Sequence, residues 1–122
     1  VEDTEAALWT ARALVLADLR ACGLDRAEVV SRLDAALAHR RWWVGQWPEG
    51  AAFVPGLLAQ DIQDALLETA GRWPACPRCT VHGQETPHCL DVQPELGPDP
   101  HWTCPATGAV LAPVGRLGEA LT

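Results

Sequence analysis

The chain is 122 residues long, 48% hydrophobic and formally −7 in net charge, with arginine as its only cationic side chain besides histidine. That length suits one compact domain or two very small ones, and no apolar run approaches the roughly eighteen residues of a membrane-spanning helix. From residue 76 onward there are five acidic groups against two Arg, so the chain offers no basic face for phosphates and nucleic acid is disfavoured as a partner.

The N-terminal stretch "VEDTEAAL" is acidic and helical in pattern, unlike a signal peptide with a basic start and an apolar middle, which points to the cytoplasm. Residues 4–22 carry Leu8, Val15, Leu19 and Cys22 at helical spacing, with Trp9, Ala13 and Leu16 widening the stripe. Asp3 or Thr4 can cap this helix, and Gly23 is a natural residue to follow its end. "DRAE" at 25–28 has the spacing of a capping box, in which the Asp25 carboxylate would accept from the backbone and Glu28 would reach back. It opens a second helix over 25–44, with a stripe of Val29, Val30, Leu33, Ala36, Leu37 and Arg40. The short break between the two predicts an antiparallel helical hairpin. "GQWPEGAAFVPG" (45–56) holds three Gly and two Pro and reads as a connector. A third helix is expected over 57–71, with Leu58, Ile62, Ala65, Leu66 and Thr69 on its apolar face. Asp61, Asp64 and Glu68 share the other face and read as solvated carboxylates.

After Trp73 the chain becomes rich in Pro and Gly, with short alternating runs. "LDVQPEL" (90–96) and "HWTC" (101–104) flank the turn-rich "GPDP" and predict a β-hairpin. Pro94 marks an edge strand, and "AVLAPVG" (109–115) supplies a third strand. The expected class is α+β: a helical unit over 1–72, a small β unit over 73–116 and a tail over 117–122.

Four of the five cysteines fall in that β unit: Cys76, Cys79, Cys89 and Cys104. Cys22 stands apart in the first helix and reads as a small buried hydrophobe. CxxC spacing mixed with histidines points to metal before disulfides. "CPRC" gives two thiolates the bite of a tetrahedral ion. "WPACPRCT" resembles the first knuckle of the zinc-ribbon and rubredoxin-like group. That resemblance covers about residues 73–115 and implies a second knuckle at the end of a β-hairpin. "CPATG" (104–108) takes that place, with Cys104 and Pro105 matching and Thr107 where the second cysteine would stand. The resemblance therefore implies Zn2+ held by Cys76, Cys79 and Cys104, with a fourth ligand from elsewhere. His88, at the mouth of the hairpin, ranks first, followed by His82, His101 and Cys89. Each of these histidines also has an ordinary reading, as a loop or strand residue without a metal.

The motifs of reactive zinc are missing: neither H-E-x-x-H nor the H-x-E…P-C-x-x-C pattern of deaminases occurs. A redox reading of "CPRC" would need a βαβ unit, which the pattern does not predict. A site dominated by thiolates is ordinarily closed and structural. The sequence thus points to a zinc-binding module whose metal is structural and whose partner is another protein. A zinc-dependent hydrolase with an open metal position is the alternative. Six Trp are present beside one Phe and no Tyr. Trp42, Trp43 and Trp47 cluster near the end of the second helix, as a candidate partner surface or as packing. Trp73 and Trp102 flank the cysteines and are expected to form a small core for the β unit. The overall pattern also resembles small proteins of high-GC bacteria, a resemblance that carries no activity with it.

Overall fold

A computed structural model of the chain describes residues 2–69, 71–77 and 88–121. Its class is α+β, as expected. Three helices come first: α1 (Glu2–Ala21), α2 (Ala27–Gln46) and α3 (Val54–Leu67). A three-stranded antiparallel sheet follows, β1 (Asp91–Gln93), β2 (His101–Thr103) and β3 (Val110–Pro113), in the order β1-β2-β3. Among the described residues no helix is long and apolar enough to cross a membrane.

The apolar stripes do what their spacing requires. Leu8, Ala11, Val15 and Leu19 of α1 are buried against Val29, Leu33, Leu37 and Val44 of α2 and Val54, Leu58, Ile62 and Leu66 of α3. The α1 stripe widens through Ala11 and Asp18, because the sheet covers that flank. Trp9 and Ala13, on the other flank, are exposed. Ion pairs stitch the helices along their edges: Arg12–Asp34 at 2.6 Å, Arg41–Glu5 at 2.7 Å and Arg40–Asp61 at 2.6 Å. Asp61 therefore departs from the solvated carboxylate face expected of it. Both its oxygens accept from the Arg40 guanidinium, which also lies over the Trp43 ring at 5.3 Å.

Local details depart from expectation where backbone geometry decides. The capping box does not form: α2 begins at Ala27 behind an extended Arg26, with no side-chain cap. Asp25 instead lies near Arg20, and Glu28 near Arg26. The connector is partly helical, since Pro48–Phe53 forms a 3-10 turn that runs straight into α3. Thr69 is exposed beyond the end of α3. Cys22, past the last turn of α1, is exposed rather than buried. Residues 117–120, expected as tail, form a short helix α4 (Leu117–Ala120) whose Leu117 is fully buried.

Among the described residues, the sheet shares its core with the helices. Val92, Trp102 and Ala112 are cross-strand partners on one face. All three are buried, and Trp102 and Trp73, packed edge-on at 5.4 Å between ring centres, belong to the same apolar cluster as the helices. At Gly56, near the start of α3, an added Cβ would lie 3.3 Å from the Glu95 carbonyl oxygen and 3.3 Å from Pro100 Cβ. A side chain there would press the helix away from the β1–β2 loop.

One buried acid joins the two halves. Asp18 of α1 is fully buried. Its Oδ2 accepts from Trp102 Nε1 at 2.8 Å and from the Gly115 amide at 2.6 Å, and its Oδ1 accepts from the Leu117 amide at 2.9 Å. Desolvation raises the Asp18 pKa above its ordinary 3.8, and the three N–H donors pull against that rise. A raised folded-state value means the native protein holds this proton more tightly than the unfolded chain. The contribution of Asp18 to stability is therefore complete at low pH and declines as pH rises from about 4 through the raised value. Asp18→Asn is expected to destabilise the fold by about 1–3 kcal/mol. Its NH2 must face at least one N–H donor, leaving that donor buried and unpaired. Thermal melts across pH check both points: the variant should melt lower and lose the wild-type slope above about pH 4.

Candidate metal centre

The segment 88–93 makes the site, because its beginning pairs with one partner and its continuation with another. At its start, Ala75 and Cys89 form an antiparallel bridge. The Cys76 amide donates to the His88 carbonyl at 3.0 Å and the Leu90 amide to the Pro74 carbonyl at 2.8 Å. With Ala75 opposite Cys89, Cys76 falls opposite His88. Strand alternation then puts these two side chains on one face and Ala75 and Cys89 on the other. Further on, β1 pairs with β2 in the register Asp91↔Thr103, and this brings Cys104, the next residue, alongside.

The outcome is a cluster of three ligand atoms, from Cys76, His88 and Cys104, all within 4.8 Å of one another. Cys104 Sγ lies 3.4 Å from His88 Nε2. Two ligands of one tetrahedral zinc-sized ion, with bonds of about 2.0–2.3 Å, are separated by roughly 3.3–3.8 Å. The His88–Cys104 spacing thus matches one edge of a coordination tetrahedron, and the other two separations are within 4.8 Å. Both cysteines are buried, at 1% exposure each, and His88 is half-buried. Two thiols and an imidazole suit a soft or borderline divalent ion better than Mg2+ or Ca2+.

Local structure prepares Cys104 for this role. The tetrapeptide after it folds back, with the Cys104 amide donating to the Ala109 carbonyl and the Gly108 amide to the Cys104 carbonyl, both at 2.8 Å. Gly108 sits at φ +77°, a left-handed conformation that only Gly adopts at little cost. The Cys104 thiol is pulled down to about 6. A hydrogen bond from the Thr107 hydroxyl is the main cause, opposed by desolvation and aided by His88 and the amides of Thr107 and Ala106. A thiol with that value is largely thiolate at neutral pH, which is the metal-binding form.

Of the other ligand candidates, Cys79 and His82 lie outside the described residues. Cys89 faces away from the cluster. His101 lies at the far end of β2, with its Nδ1 2.7 Å from the Asp99 carbonyl oxygen. The tryptophans divide. Trp42 is 62% exposed and stacks on His39; Trp47 is 42% exposed; Trp43 is half-buried and packs edge-on against Trp47. Sequence reasoning passed over Gln63 of α3. Its amide donates to the Trp73 carbonyl at 3.1 Å and the Leu90 carbonyl at 2.8 Å, clamping the two chain segments that carry Cys76 and His88. A polar residue at the edge of an amphipathic helix gives no signal of such a bond.

His88→Ala and Cys104→Ser are each expected to weaken binding of added Zn2+ by about tenfold or more, while Cys89→Ser and His101→Ala leave it unchanged. Competition against a chromophoric chelator measures this. No curated protein and no solved structure shows a match to the chain. A family model described as a domain of unknown function, DUF8819, matches residues 4–114, nearly the whole length, and the protein belongs to that family.

Proposed function

We propose that the protein is a zinc-binding module in which the metal is structural. In this reading residues 73–116 form a zinc ribbon with a degenerate second knuckle. Cys76, Cys79, His88 and Cys104 hold one Zn2+. The convergence of Cys76, His88 and Cys104 within 4.8 Å carries the reading. Cys79 enters by the spacing of "CPRC", which gives two cysteines the bite of one ion. A set of three thiolates and one imidazole fills all four positions of a tetrahedral ion and leaves none for substrate.

The need for a staple supports the same view. The strands are only three or four residues long, and their burial depends on the cluster they share with the helices, so a metal would add a link within the β unit itself. Metal binding free energy becomes folding free energy in such a unit. The function built on it is recognition of another protein. Exposed Trp42 and Trp47 supply apolar anchors, and the net charge of −7 argues against nucleic acid.

Metal analysis of the purified chain tests the reading. About one equivalent of zinc is expected, and less than about half an equivalent contradicts it. Chelation should strip the metal and lower the melting temperature by several degrees, with re-addition of Zn2+ restoring it. A chain that melts identically with and without metal would show that zinc is no staple.

A further inference from the structure

A cavity of about 370 Å3 lies on the seam between helices and sheet, at the end of β2 away from Cys104. Among the described residues its apolar walls include Leu14 of α1, Pro55 in the first turn of α3, Pro98 and Pro100 of the β1–β2 loop and Pro113 of β3. That volume is at the small end of the range for ligand pockets. The walls are held in place. Proline rings lock their own backbone, Pro113 pairs with His101 across the sheet, and the Pro100 carbonyl accepts the Val114 amide at 3.0 Å. Leu14 packs against Gly115, where an added Cβ would strike its side chain. The polar residues of the lining are Asp99 and His101. His101 Nδ1 lies 2.7 Å from the Asp99 carbonyl oxygen. A carbonyl only accepts, so Nδ1 carries the proton. In the neutral ring Nε2 is then an acceptor, as is the Asp99 carboxylate. The prolines have no backbone N–H to add. The cavity thus combines apolar rings with hydrogen-bond acceptors.

We propose that this cavity binds a small aromatic amine in its ammonium form. An ammonium group has only donors to offer, which suits a lining whose polar side chains accept. Asp99 supplies the opposite charge, and His101 Nε2 takes a second N–H. The ring lies among the prolines, whose C–H groups suit the negative face of an aromatic system. The charge of the chain acts in the same sense. A net −7, with five acidic groups against two Arg from residue 76 onward, favours a cation and opposes an anion. Rigid walls lose little freedom on binding. The inference goes beyond the metal reading and does not rest on it. Because the walls come from α1, α3 and the sheet, a bound amine ties the two halves of the fold together and stabilises them.

The test uses the full-length chain as purified, with 2-phenylethylamine as the probe and phenylacetate as its anionic counterpart, each followed by amide NMR shifts. The amine is expected to shift the signals of Leu14, Asp99, His101 and Val114, and to saturate with a dissociation constant of about 1 mM or tighter. Phenylacetate should bind at least about tenfold more weakly. The amine should lose about tenfold in affinity for Asp99→Asn, where the charged partner is gone. The comparison of the two probes needs no variant, so it decides the matter even if Asp99→Asn fails to fold. No saturation below about 10 mM, saturable shifts confined to other residues, equal binding of amine and phenylacetate, or full binding by a folded Asp99→Asn would each overturn the proposal.

Discussion

The antiparallel pairing of Pro74–Cys76 with His88–Leu90 is the constraint on which the site depends. Two backbone bonds and one bridge set Ala75 opposite Cys89. With a side-chain period of two, that register decides that Cys76 and His88 share a face and that Cys89 does not. A slip by one residue would present Cys89 in place of His88 and dismantle the triangle. Gln63 reinforces the register from α3 by bonding a carbonyl on each of the two segments. The ligand triangle is thus an outcome of strand pairing that the helical unit holds in place.

The dependence runs in both directions. The sheet borrows its core from the helices, since Trp73, Trp102, Val92 and Leu117 belong to one cluster with Leu8, Val15, Leu58 and Ile62. Asp18 fixes the geometry of that shared core. A carboxylate inside an apolar interface is costly, and it is tolerated here because three N–H groups converge on it. All three come from the C-terminal half, so Asp18 is satisfied only when that half is docked. Helices, sheet and ligand triangle therefore form together, and a metal at Cys76, His88 and Cys104 would lock segments that Asp18 and Gln63 already hold against the helices.

Much of this was legible in the sequence. The 3.6-residue stripes place three helices, and the alternating runs with their turn signals place three strands in the right order. His88 could be preferred to Cys89 because adjacent strand residues face opposite ways. What sequence could not reach depends on partners distant in the chain. Asp18 reads as one polar residue beside an apolar stripe; its partners lie 84 to 99 residues later. Asp61 reads as solvated until α2 brings Arg40 against it. Asp25 and Glu28 have the letters of a capping box, yet the extended backbone at Arg26 gives the start of the helix to Ala27. Thr107 reads as a defect in a two-cysteine pattern, and only the folded turn shows its hydroxyl accepting the Ala109 amide.

The most direct test of the metal centre is the zinc-edge X-ray absorption fine structure of the purified full-length chain. The account predicts a four-ligand shell of sulfur at about 2.3 Å and one nitrogen at about 2.0 Å, with sulfur dominant and the nitrogen signal lost in His88→Ala. A shell made mainly of oxygen and nitrogen, or one that His88→Ala leaves unchanged, would contradict it.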